Sequence, residues 1–132
     1  MTPRIQKRRL FRSVALVTLA MAFIGARIWA QSAYSRSILR AKESVLKSDL
    51  FALRTSIDDY TRDKHQRPET LQDLVTAGYF RQIPVDPMTA SAKTWKPLIV
   101  ESTVSNQPGP GICDVRSGSD KLSPEGTRYS EW

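Results

Sequence analysis

The chain is poor in the residues that carry most catalytic and metal chemistry. It has one cysteine, Cys113, and one histidine, His65. A single cysteine cannot form an internal disulfide, and we expect it to be a buried strand residue, since free cysteine usually behaves as a small hydrophobe. His65 has no cysteine or second histidine near it in sequence, so we expect an exposed loop histidine.

Motifs for phosphate binding and for nucleophilic catalysis are also absent. The six glycines are scattered and form no Walker A or dinucleotide pattern, and no nucleophile elbow accompanies His65. We therefore predict no catalytic residues and no organic cofactor, and a hydrolase that uses His65 is the least favoured alternative.

Acidic residues are missing from the first 30 positions. These positions hold six of the 20 basic residues and none of the 13 acidic ones, so residues 31–132 hold 14 basic and 13 acidic residues. The total charge of +7 is therefore mostly an N-terminal property. This argues against nucleic-acid binding and for a cytoplasmic, lipid-facing N-terminus under the positive-inside rule.

An uncharged apolar segment, Val14–Ala26, follows this basic start. Extended to Ala30, it contains Arg27 and lies near the lower limit of about 17 residues for a transmembrane helix. A secretory signal cleaved after Ala30 is the main alternative, although Trp29 fits an interfacial aromatic anchor better than a cleavage motif.

A long amphipathic helix is predicted after this segment. No proline or glycine occurs between Gln31 and Gln66. We predict one helix from Gln31 to about Lys64, continuous with the apolar segment. Its apolar face is expected from residues spaced by four and three: Leu46, Leu50, Leu53, Ile57 and Tyr60.

A second, short helix is predicted next, with Thr70 as its N-cap, Asp73 in a weak capping box and Gly78 at C′. The prolines around Asp86 then force an extended, turn-rich path in which Asp86 hydrogen-bonds its own backbone.

Strands are predicted at Trp95–Thr103 and Ile112–Arg116, with a turn at Asn106–Gly111. Since a small sheet needs a cover for its apolar face, we expect the long helix to supply it. The predicted fold class is therefore α+β, with a long N-terminal helix packed on a small antiparallel sheet of two or three strands.

Several short motifs resemble those of G-type pseudopilins of type II secretion systems, which belong to the type IV pilin-like proteins. They cover about residues 34–132 and follow the family's order: Lys47–Arg54, Ile57–Tyr60, Leu71–Val75, Gly78–Tyr79, Ile83–Thr89, Asp114–Asp120 and Gly126–Trp132. The resemblance implies a pilin-like fold with three parts. These are a basic cytoplasmic leader at 1–12, a transmembrane segment at 13–33 and a periplasmic head at 34–132.

The resemblance also places the leader-peptide junction of the family between Leu10 and Phe11. Leu10 stands where the family has glycine, and Ala15 where it has glutamate. The peptidase needs a small residue before the cut, so we expect the chain to remain unprocessed. A decayed paralogue is the alternative.

Calcium binding in the C-terminal loop is implied by the same resemblance. Asp120 occupies a ligand position of the family, and the Ser117 carbonyl with Glu125 or Glu131 would complete the set, since calcium takes six to eight oxygens. Lys121 replaces a glycine that is common in the family. The alternative is that Asp120 only forms a turn.

The function implied is that of a structural component in the inner membrane. Its expected partners are other pseudopilins or inner-membrane proteins of the secretion system, together with membrane lipid. A periplasmic binding module released by signal peptidase is the alternative from a different class.

Overall fold

The structure is a computed structural model that describes residues 3–101 and 108–132, with side chains described from residue 16 onward except at positions 28, 30, 32 and 33. It contains two α-helices, two strands and a short 3₁₀ helix: α1 (Pro3–Lys64), α2 (Leu71–Thr76), β1 (Lys96–Val100), β2 (Gly111–Arg116) and the 3₁₀ helix Tyr129–Glu131. The chain divides into two units, Met1–Arg40 and Ala41–Trp132. The predicted three-part division stays a prediction.

The described side chains of the first unit include a series of large apolar groups that are exposed. Their exposed fractions range from 56 to 75%: Leu16, Val17, Leu19, Met21, Phe23, Ile24 and Trp29. Among the residues described, no helix has a stretch long and apolar enough to cross a membrane. The side chains of Leu10 and Phe11, at the predicted leader junction, lie outside the described residues.

The long helix ends at Lys64, as predicted. His65 follows with a φ of 56°, in the left-handed region that commonly terminates helices. Its side chain is exposed, which confirms the expectation for this histidine. The polar run after Lys64 has no apolar face to bury, so nothing favours another helical turn there.

The C-terminal part of α1 provides one wall of the core in the second unit. Leu46, Leu50, Leu53 and Ile57 are each at most 2% exposed. The predicted spacing is thereby confirmed for these four residues, whereas Tyr60, the fifth residue predicted for this face, is only half-buried. The α+β class with a long helix on a small antiparallel sheet is the observed fold. The opposite wall comes from the C-terminal half of the chain: Leu74, Trp95, Ile112, Val115 and Tyr129.

Helix α2 has the predicted ends. The Asp73 carboxylate accepts a hydrogen bond from the Thr70 N–H at 2.8 Å, which is the acidic half of the capping box. Gly78 has a φ of 86°, a conformation that glycine adopts without a Cβ penalty. The chain then turns back, and the Tyr79 ring lies 5.8 Å from that of Tyr60 on α1.

The sheet has two antiparallel strands. Lys96 pairs with Arg116 and Val100 with Gly111, and a register shift lies between Leu98 and Ile99. The first predicted strand is too long at its start, because Trp95 precedes β1, buried, with its indole N–H on the Pro84 carbonyl. Residues 102 and 103 of that strand, and 106 and 107 of the predicted turn, lie outside the described residues.

The expectation for Cys113 is wrong. Cys113 lies in β2 as predicted, but its side chain is exposed. The pairing passes from Leu98 with Asp114 to Ile99 with Ile112, so Cys113 is the extra, unpaired residue of a bulge, and its side chain points away from the core that Ile112 and Val115 face.

Replacing Leu53 by alanine should lower the free energy of unfolding by about 2–5 kcal/mol, because the change leaves a cavity in a fully buried site. Phe51→Ala is the control: this side chain lies on the same helix but is 74% exposed, so we expect a change within about 0.5 kcal/mol. Denaturant unfolding followed by near-UV circular dichroism measures both. Equal losses would contradict the assignment of the buried face.

Candidate functional site

The C-terminal segment from Asp120 to Ser130 folds back on itself as a small hairpin. The Tyr129 N–H donates to the Lys121 carbonyl at 3.1 Å, and the Ser123 N–H to the Thr127 carbonyl at 2.8 Å. Leu122 and Arg128 form an antiparallel bridge between these pairs. Pro124 to Gly126 thus form the tip, while Asp120 stands at the open end, next to the sheet. We call residues 120–130 the C-terminal hairpin.

Cationic side chains bind both the carboxylate and the main-chain carbonyl of Asp120. Its carboxylate accepts from the Lys96 ammonium group at 3.1 Å. Its main-chain carbonyl accepts from the Arg128 guanidinium at 3.0 Å. A hydrogen bond from Ser130, and then the contact with Lys96, lower the pKa of Asp120. Both contacts favour the charged form of this exposed carboxylate.

The role predicted for Ser117 belongs to its carbonyl oxygen and stays a prediction, whereas its side chain has a structural role. Its side chain is buried, and its hydroxyl donates to the Asp86 carboxylate at 2.7 Å. The Gly118 N–H donates to the same carboxylate at 2.9 Å, and the Met88 N–H donates to its other oxygen at 2.8 Å. Asp86 was predicted to bond its own turn, which the Met88 contact confirms. No pattern in the sequence predicted that Asp86 would also accept hydrogen bonds from Ser117 and Gly118.

Gly118 is required by this contact. A Cβ at this position would collide with the Thr94 backbone. Only glycine therefore lets the chain pass close enough to Thr94 for its N–H to reach Asp86. The buried carboxylate joins the turn after Asp86 to the segment that leads into the C-terminal hairpin.

Two of the predicted calcium ligands lie on exposed parts of the C-terminal segment. Glu125 lies at the exposed tip of the hairpin, away from its open end, and Glu131 is exposed in the 3₁₀ helix. Among the described residues, no group of three or more His, Cys, Asp or Glu side chains could hold a metal ion. Calcium wants six to eight oxygens, several of them carboxylate. The predicted set of two carboxylates and one carbonyl is not tested by this, and calcium binding stays a prediction.

Arg54 is a central residue that the sequence reasoning assigned only to a solvated helix face. Its Nε donates to the Asp114 carboxylate at 2.7 Å. Its Nη2 donates to the main-chain oxygens of Val115 at 3.0 Å and of Trp132 at 2.8 Å. A single guanidinium thus connects α1 to β2 and to the C-terminal segment. Its position on α1, between the core residues Leu53 and Ile57, was the one signal that could have suggested this.

A second polar contact connects the same segment to α1. The buried Tyr129 donates its hydroxyl to the Glu43 carboxylate at 2.7 Å. Burial, and then this carboxylate, raise the pKa of Tyr129 to about 12. Trp132 packs edge-on against Tyr129 at 5.0 Å, and the Lys47 ammonium lies 4.6 Å from the centre of the Trp132 ring. Trp132 is therefore a packing residue, as predicted.

These contacts border a shallow open groove of about 350 Å³ on the surface of the second unit. It is lined by Lys47, Leu50, Phe51, Arg54 and Trp132. Arg54 and Lys47 both contact other parts of the second unit, and Trp132 gives the groove an aromatic surface.

Comparisons of the chain with protein-family models, with curated proteins and with solved structures found no match in any of the three. The resemblance of the short motifs to pseudopilins therefore stays a prediction, and function must be argued from the residues themselves.

Asp49, half-buried on α1, should lower the stability of the folded state as the pH rises. Burial, and then the negative charge of Asp86, raise its pKa above the ordinary value of 3.8. The unfolded chain therefore releases this proton first, so the folded state loses stability as the pH rises from 3.8 through the folded pKa. We expect Asp49→Asn to raise the free energy of unfolding at pH 7 and to have little effect near pH 3.

Urea unfolding of both proteins at the two pH values measures this difference. Asp58→Asn, an exposed change on the same helix, is the control and should show no such pH dependence. A variant that is less stable than the unchanged protein at pH 7 would show that the Asp49 charge is stabilising.

Proposed function

We propose that this protein is a structural, pseudopilin-like component of a type II secretion or type IV pilus-like system, with a pilin-like fold. In this proposal the N-terminal part of α1 is anchored in the inner membrane, its start is cytoplasmic and the second unit is periplasmic. The protein acts by packing its helix and head against other pseudopilins or inner-membrane proteins of the system, and it catalyses no reaction.

The observation that carries this proposal is the apolar surface of α1 before residue 30. Leu16, Phe23 and Trp29 are between 66 and 75% exposed, with further large apolar side chains between them. Burying such surface contributes about 25 cal/mol per Å², so a helix of this kind is not expected to remain in water. Contiguous exposed apolar surface is typical of a membrane or protein contact.

The charge pattern supports one direction of insertion. Basic residues cluster before the apolar segment and acidic residues are absent there. Under the positive-inside rule this favours a cytoplasmic N-terminus. The nearly balanced charge after residue 30 is suited to a head in an aqueous compartment.

The continuity of α1 supports the pilin-like architecture. The same helix that carries the apolar surface also supplies Leu46, Leu50, Leu53 and Ile57 to the core of the second unit. A released binding module would lose the first part of this helix at Ala30, with no break in the helix to mark the cut.

Membrane association should depend on the exposed apolar residues before residue 30. We expect the protein to sediment with membranes and to resist alkaline extraction. Leu19→Asp combined with Phe23→Asp should release it, because each charge within a spanning helix costs about 2.5–3.5 kcal/mol. Phe51→Asp, on the exposed face of the same helix in the second unit, is the matched control and should stay in the membrane.

Soluble protein that starts at Gln31 would instead identify a cleaved periplasmic module. Soluble protein of full length would contradict both the anchor and the cleavage.

The leader should be retained, because Leu10 places a large side chain where the peptidase needs a small one. We expect the intact mass of the membrane-extracted protein to be that of the full chain, both with and without the prepilin peptidase of the host. Leu10→Gly should restore a loss of residues 1–10 that depends on the peptidase.

Retention of the leader would favour a role beside a filament rather than in it. Peptidase-dependent loss of residues 1–10 from the unchanged protein would contradict retention and favour a filament subunit.

A further inference from the structure

Basic side chains of the protein itself lie in or beside the C-terminal hairpin. Four basic residues belong to the hairpin or flank it: Lys96, Arg116, Lys121 and Arg128. The acidic residues from position 116 onward are Asp120, Glu125 and Glu131. Calcium sites gain affinity from an excess of negative ligands. Within residues 116–132 the three acidic residues are matched by three basic ones, Arg116, Lys121 and Arg128, so no such excess exists.

The two groups that calcium would take from Asp120 are already used. A carboxylate oxygen faces the Lys96 ammonium at 3.1 Å, and the carbonyl oxygen faces the Arg128 guanidinium at 3.0 Å. Charge-assisted hydrogen bonds of this kind are stronger than neutral ones. Lys96 comes from the first residue of β1, and Arg128 comes from the returning arm of the hairpin. Both therefore converge on Asp120 from separate elements.

The Ser117 side chain is also committed elsewhere. Its hydroxyl donates to Asp86 and accepts from the Ser119 N–H at 3.2 Å. Closure of the hairpin itself needs only its own pairs, including the contact between the Ser123 and Thr127 hydroxyls at 3.0 Å. None of these contacts uses a metal ion.

We infer that Lys96 and Arg128 hold the C-terminal hairpin at Asp120, in the place where calcium would act in a pseudopilin of the resembling family. The hairpin is thus ordered by protein cations and needs no metal ion. This inference takes the position of calcium from the resemblance on which the proposed function rests, while its contacts all lie within the second unit.

The test is the melting temperature of the full-length protein in mild detergent, with EDTA and with about 10 mM CaCl₂, which is roughly ten times the Kd of weak calcium modules. A calcium site at that occupancy would raise the melting temperature of a domain of this size by roughly 5 °C or more. We expect no rise.

The matched variants are Lys96→Met and Lys93→Met. Lys93 is an exposed lysine close to β1, and it forms no ion pair in the part of the chain that the structure describes. We expect Lys96→Met to lower the melting temperature by about 1–3 °C in both solutions and Lys93→Met to leave it unchanged.

The variant Asp120→Asn distinguishes a hairpin held by protein cations from a hairpin held by calcium. If Lys96 and Asp120 act together, adding Lys96→Met to Asp120→Asn causes less than the sum of the two losses. A calcium-dependent rise in the unchanged protein that is lost in Asp120→Asn would overturn the inference. Equal melting temperatures for Lys96→Met and Lys93→Met would also overturn it.

Discussion

The structure depends on burying one apolar stripe of α1. A two-stranded sheet is marginal in water without a partner that covers its apolar face. Leu46, Leu50, Leu53 and Ile57 provide that cover, and Val115 and Tyr129 complete the core from the other end of the chain. Because no disulfide can support this arrangement, the stripe is the main source of stability for everything that follows residue 65. The apolar stripe of α1 therefore supports the sheet and the segment that contains Tyr129.

Polar contacts then determine how the C-terminal segment lies on that core. Arg54 donates hydrogen bonds to β2 and to the Trp132 carbonyl. Glu43 accepts a hydrogen bond from Tyr129, and Asp86 accepts one from Ser117, in the segment that leads to the hairpin. Among the described residues, every buried side-chain nitrogen or oxygen has a hydrogen-bond partner. Buried polar groups of this kind specify one arrangement, since each would be costly if left unpaired. They are better explained as structural contacts than as a catalytic centre.

Local pattern was enough to predict the elements but not the contacts between them. The spacing from Leu46 to Ile57 and the polar run after Lys64 predicted the helix, its buried face and its end. The prediction that Cys113 is buried was wrong because a strand pattern alone does not say which side chains are covered. The tertiary partner decides that. The long-range contacts of Arg54 and Asp86 could not be predicted, since each joins residues at least 30 positions apart and leaves no periodic signal.

The contact between Glu43 and Tyr129 spans 86 positions of the chain. During synthesis, the apolar face of α1 is therefore not fully covered until the C-terminal segment has been made. At about 5–20 residues per second, the ribosome needs roughly 4–15 seconds to make the residues between Ile57 and Tyr129. Leu74 and Trp95 are made earlier in that interval, but the apolar face of α1 lacks Tyr129 until its end, and a chaperone or another apolar surface can bind the uncovered part. The order of elements along this chain thus makes its folding a late event, completed only when the last aromatic residues have been made.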